Sequence, residues 1–126
     1  MGFIEALKAA GLSNPGRRTW HGTSPDGVAV FTIWEREIRQ VDGRWFAWWD
    51  HRYESEHGVM SASRRGSANT FIRHAQKFGD SIGRVVIVTG LDNADSAQYP
   101  HPEWARIKFL AVSPEALQFI AELLPL

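Results

Sequence analysis

Residues 28 to 50 read VAVFTIWEREIRQVDGRWFAWWD, and the way this stretch pairs with itself decides what fold the chain can build. VAVFTIW, residues 28 to 34, is β-branched and aromatic at nearly every position, the pattern of a central strand covered on both faces. EREIRQV then turns amphipathic and runs into Asp42-Gly43, a two-residue hairpin signal whose residues tolerate the positive φ that such a turn needs. A hairpin closed there sets Val41 opposite Arg44, Gln40 opposite Trp45 and Arg39 opposite Phe46. Continued outward, the register sets Glu37 opposite Trp48, Arg36 opposite Trp49 and Glu35 opposite Asp50. The last pair opposes like charges, so either the strand bends before residue 50 or the pair meets a cation.

Alternation along RWFAWWDH places Trp45, Ala47, Trp49 and His51 on one face and Phe46, Trp48 and Asp50 on the other. Trp34, Arg36 and Ile38 fall on the Trp49 face. The register therefore predicts a cluster of Trp34, Trp45 and Trp49 flanked by Arg36 and His51. Such a cluster serves as a heavy core, as a homodimer interface, or as a pocket that stacks a planar ligand such as a base. The opposite face still carries Phe46 and Trp48, and helices packed on one side of the sheet leave those rings to be explained.

On the N-terminal side, Phe3, Leu7 and Ala10 recur at helical spacing between Gly2 and Gly11, and Gly11 is placed to cap a short helix. LSNPGRR and SPDG, residues 24 to 27, are turns, with TWHG between them placing Trp20 and His21 ahead of the first strand. On the C-terminal side, residues 51 to 67 lack periodicity and read as a loop. Ser67 then caps a helix over residues 68 to 78, with Ala68, Phe71, Ile72, Ala75 and Phe78 on one face. GRVVIVTG, residues 83 to 90, reads as a buried strand, and residues 91 to 104 as a long polar connection. In ARIKFLAV, Ile107, Phe109 and Ala111 alternate with Arg106 and Lys108, giving a strand with one wet face. Ser113, Pro114 and Glu115 are suited to open a last helix docked by Leu117, Ile120 and Leu124. The sum is one α+β domain over residues 1 to 126, a mixed or antiparallel sheet with helices mainly on one face.

Composition narrows the function. At 126 residues, 44% hydrophobic and 22% charged, the chain can bury roughly two thirds of the surface its unfolded form exposes. It has no cysteine, which excludes disulfides, thiolate metal sites and a cysteine nucleophile. No run approaches the roughly 18 apolar residues of a membrane helix, and the start lacks a basic segment leading into an apolar one. These features give the expectation of a soluble cytoplasmic protein with no membrane partner. Net charge is zero, which argues against coating nucleic acid through bulk electrostatics. Yet eleven of the fourteen basic residues are Arg, suited to bidentate anion contacts and to stacking on rings; a high-GC coding bias gives the same excess.

Two basic groups flank the aromatic segment: Arg17 and Arg18 beside Trp20 and His21, and Arg64 and Arg65 just ahead of the helix expected at residue 68. The residues Trp20, His21, Trp34, Arg36, Trp49, His51, Arg64 and Arg65 thus form the expected ligand-binding set, for a nucleotide or nucleic acid with a base stacked on Trp and phosphate held by Arg. Two other classes stay open. A small metal- or His-dependent phosphoesterase or nuclease would use His21 or His51 as general base with Glu35 or Asp50 as metal or proton partner, although no Gly-x-Ser-x-Gly elbow, His-Glu-x-x-His helix or phosphate-cradling glycine loop is present. A protein-binding inhibitor, for example a phage-borne one, would need only the surplus of Trp. No metal or cofactor is implied, since His51 and His57 in a straight strand would stand about 20 Å apart.

The stretch RRTWHGTSPDGVAVFTIWEREI resembles a segment of small uncharacterised bacterial and phage-borne proteins: a Trp and Gly, a Ser-Pro-Asp-Gly turn, then a strand ending in Trp and acidic residues. The resemblance covers the first third of the chain, with an echo around residues 68 to 89, and brings no activity with it.

Overall fold

The computed structural model describes residues 1 to 50, 62 to 90 and 95 to 126. Among these the order is α1 (Phe3–Ala9), β1 (His21–Thr23), β2 (Ala29–Trp34), a 3-10 turn (Glu35–Glu37), β3 (Ile38–Val41), β4 (Arg44–Asp50), α2 (Ala62–Phe78), β5 (Gly83–Val88), β6 (Ala97–Gln98), β7 (Arg106–Ser113) and β8 (Gln118–Leu124). The strands form one mixed sheet ordered β1-β2-β5-β7-β8-β4-β3, with β6 added beside β5. Among the described strands β2 and β5 pair in parallel and the other pairings are antiparallel. The architecture is α+β.

Much of the N-terminal half follows the expected local signals. In α1, Phe3 and Leu7 are buried, Ala10 closes the helix, and Gly11 takes a φ of 109°. SPDG closes the β1–β2 hairpin through Gly27 N–H donating to the Ser24 carbonyl and Ser24 N–H to the Val28 carbonyl, each at 2.9 Å. The β2 strand is buried at five of its six positions, between β1 and β5. Asp42 and Gly43 both have positive φ, 51° and 77°, and the β3–β4 ladder pairs Val41 with Arg44, Gln40 with Trp45 and Arg39 with Phe46.

That ladder stops at Ile38 and Ala47, because Glu35–Glu37 coil into the 3-10 turn. Glu35 therefore does not face Asp50, nor Arg36 Trp49. On its other edge β4 pairs with β8 from Trp45 to Asp50, setting Trp48 beside Ile120, Trp49 beside Phe119 and Asp50 beside Gln118. The helix expected after Ser113 is this strand. Residues 114 to 117 form a turn with Leu117 at a φ of 51°, and QFIAELL buries Phe119, Ala121 and Leu123 in strict alternation. Spacing alone fitted a helix through Leu117, Ile120 and Leu124; pairing on both edges, to β4 and β7, outweighs it.

Three smaller corrections concern neighbouring elements. His21 lies on β1 rather than in a turn. Ser67 is inside α2 rather than at its start, so Arg64 and Arg65 belong to the helix instead of preceding it. In β7 a bulge between Phe109 and Ala111 reverses the alternation, so Val112 rather than Ala111 packs on the core.

Most of the helical mass lies on one face of the sheet. Phe71, Ile72 and Ala75 of α2 pack on Phe31, Ile33, Val85, Ile107 and Phe119 in the larger core. The short α1 covers part of the opposite face, packing Phe3, Ala6 and Leu7 on Val30, Val86 and Val88. Arg84 ties that helix to the β1–β2 turn: it donates to the Ala10 carbonyl and pairs with Asp26 at 2.6 Å. The Ser24 hydroxyl and then Arg84 hold the Asp26 carboxyl down to about 2.

Candidate functional site

The expected Trp cluster is divided between the two faces. Trp34 lies on the α1 side, where Trp20 stands 6.2 Å from it between ring centroids and Phe3 stacks at an angle on Trp20 at 5.2 Å. The Arg36 guanidinium sits 4.4 Å over the Trp34 ring, a cation–π arrangement. Trp45 and Trp49 belong to the α2 side. Trp45 meets Trp104 edge-on at 5.1 Å, while Trp49 lies 5.7 Å from Phe71 and 5.4 Å from Phe119. Trp20, Trp34 and Arg36 are thus brought together as expected, and Trp49 is separated from them because alternation on β2 and β4 is set by different neighbours. His51 lies outside the described residues, as do the side chains of Arg64 and Arg65.

Burying Trp45, Ala47 and Trp49 under α2 turns Arg44, Phe46 and Trp48 to the opposite face of β4. α1 covers that face only over β2 and β5, so the half built from β7, β8, β4 and β3 is bare among the described residues. Trp48 is 62% exposed there, with Ile120 across the strand pair and Leu110, turned outward by the β7 bulge, also exposed. Phe46, two positions along β4, is half-buried beneath the Arg44 guanidinium at 5.2 Å.

The charges on this surface are mostly positive. Register places Arg39, Arg44, Arg106 and Lys108 on it, against Glu122 among the described side chains. Glu122 is held by Arg44 in a two-pronged pair, both bonds 2.8 Å, which keeps its carboxyl below the usual range. Arg39 bonds the carbonyls of Arg36 and Ile38 with one nitrogen at the sheet edge. Exposed rings framed by cations on an open antiparallel sheet can accept flat, anionic ligands by stacking and ion pairing.

A second constellation lies under the other edge of the sheet. His21 on β1 and His74 on α2 meet with their Nδ1 atoms 2.8 Å apart, and Thr23 Oγ1 is 3.4 Å from His74 Nε2. Burial, then the nearby His74, lowers His21 to about 4; burial and the charge of Lys77 lower His74. Both shifts favour the neutral form of the rings. Sequence reasoning singled out His21 and missed His74, which is 53 residues away. The available signal was its position three residues after Phe71, at the margin of the apolar face of the helix.

Comparison with known proteins leaves these surfaces to be read on their own chemistry: no family model, curated protein or solved structure matches the chain. Among the described residues no helix is long and apolar enough to cross a membrane.

Proposed function

We propose that the protein binds single-stranded nucleic acid on the open face of β3, β4, β7 and β8, stacking bases on Trp48 and Phe46 and placing phosphates on Arg39, Arg44, Arg106 and Lys108. The observation that carries this reading is Trp48, 62% exposed on a sheet face that the described residues leave bare. A tryptophan turned to solvent leaves apolar area unburied, at a cost a ligand recovers. Base stacking is worth about 1 to 3 kcal/mol per ring and tolerates any sequence, since every base has a flat face. The local excess of cations supplies phosphate contacts even though the chain as a whole is neutral. The Trp20, Trp34 and Arg36 group is better explained as packing, since Arg36 already occupies the face of Trp34.

The same face would also suit a second copy of the chain, and the two occupants are separable. Intrinsic fluorescence titrated with single-stranded DNA and RNA homopolymers at low salt tests the first. Quenching that weakens about tenfold in Trp48→Ala, with far-UV circular dichroism unchanged, supports it. Absence of binding, or affinity indifferent to Trp48→Ala, overturns it. A dimer in analytical ultracentrifugation that Trp48→Ala dissociates would assign the face to self-association instead.

A further inference from the structure

The pair formed by His21 and His74 lies at the margin of the α2-side core, against Phe31 and Phe71, and is not used by the nucleic-acid reading. Its two nitrogens come from an edge strand and a helix, and they face one another at 2.8 Å with ring centroids 4.9 Å apart. Phe71 meets the His21 ring edge-on at 5.7 Å, and Phe31 lies 4.8 Å from the His74 ring, so both imidazoles rest on an apolar floor. Both are only half-buried, which leaves the pair reachable from solvent.

Two ring nitrogens at this distance share one proton between them, and a second would set two N–H donors head to head. We propose that His21 and His74 form a binding site for a borderline divalent cation such as Zn2+, held by their Nδ1 atoms with the remaining positions open to water or to an external ligand. Tetrahedral Zn–N bonds of about 2.0 to 2.1 Å set two nitrogens roughly 3.3 Å apart, so the rings need open by only about half an ångström. The short, three-residue β1 at the sheet edge can give by that much.

Thr23 fits the role of an orienting partner. Accepting the Nε2–H of His74, its hydroxyl oxygen would fix the tautomer whose Nδ1 lone pair points at the cation. His21 would then move its single proton to Nε2, and the neutral pair would bind the cation without releasing a proton. The floor of Phe31 and Phe71, and the preference of imidazole for borderline metals, favour Zn2+, Cu2+ or Ni2+ over Mg2+ or Ca2+. The site is weak by construction. Among the described residues no group of three His, Cys, Asp or Glu surrounds a common point, and the charge of Lys77 acts on His74.

The test is titration of the chelator-stripped protein with Zn2+ and separately with Mg2+, followed by calorimetry and by 15N shifts of the histidine rings. The expected result is one Zn2+ per chain, selective movement of the His21 and His74 Nδ1 resonances, and no response to Mg2+. His21→Asn and His74→Asn should each weaken Zn2+ binding by at least about tenfold. Nδ1 resonances that stay in place at millimolar Zn2+, or affinity unchanged in both variants, overturn the proposal. The wild-type ring shifts decide the matter should either variant fail to fold, and neither residue lies on the proposed nucleic-acid face, so the two readings fail independently.

Discussion

Trp48 and Trp49 are adjacent on β4 and meet opposite fates. Trp49 packs between Phe71 of α2 and Phe119 of β8, while Trp48 stands on a sheet face that the described residues leave bare. The two rings are chemically identical and share a strand, so burial follows from which face α2 covers rather than from composition. A run of aromatic residues on one strand therefore meets two environments, one ring in two packing on the core and the next turned to the bare face.

The widest separation between the two rings should come from truncation. Trp49→Ala removes a ring from the larger core and should cost about 3 kcal/mol, with Trp48→Ala changing stability by no more than about 0.5 kcal/mol; urea denaturation of both measures the contrast. Equal losses would show that the two faces are equally packed. Ala47, immediately before them in sequence, is fully buried, and Ala47→Leu should cost about 2 kcal/mol by overpacking, measured the same way.

On the open face the effects move from stability to binding. Lys108→Ala and Arg106→Ala should each weaken binding of a DNA homopolymer a few-fold, about 0.7 kcal/mol, and lower the slope of log affinity against log salt by about one. Unchanged salt slopes in both would remove the phosphates from this surface.

A second pair of regions separates by pH. Folded His21 titrates at about 4 instead of 6.5, and His74 is also lowered, so between these values the unfolded chain binds protons the folded one refuses. Stability is then greatest above about 6.5 and falls as pH drops toward 4. Asp26 acts lower down: its folded carboxyl titrates at about 2 against 3.8, so its contribution is present above 3.8 and lost toward 2. Urea midpoints followed across this range, with chelator present, should show two successive declines, and His21→Asn should flatten only the upper one.

How much of this was legible in the sequence depends on how far apart the deciding atoms lie. The β3–β4 turn at Asp42-Gly43 and its register as far as Ile38 and Ala47, the SPDG turn, the buried β2 strand and the Gly11 stop were all readable, because each rests on backbone preferences and hydrogen bonds within a few residues. The α+β class follows from them. Residues 118 to 124 fit a helix as well as a strand, and only the two flanking edges of β4 and β7 chose between the periods. The separation of Trp34 from Trp49 arose where Glu35–Glu37 left the extended conformation, and the meeting of His21 with His74 required α2 to pack beneath β1. Local chain chemistry determined the turns and their nearest ladders. Which face became core, which stayed open and which distant histidines met were decided by tertiary structure, since burial is a property of the whole sheet and its covering helices.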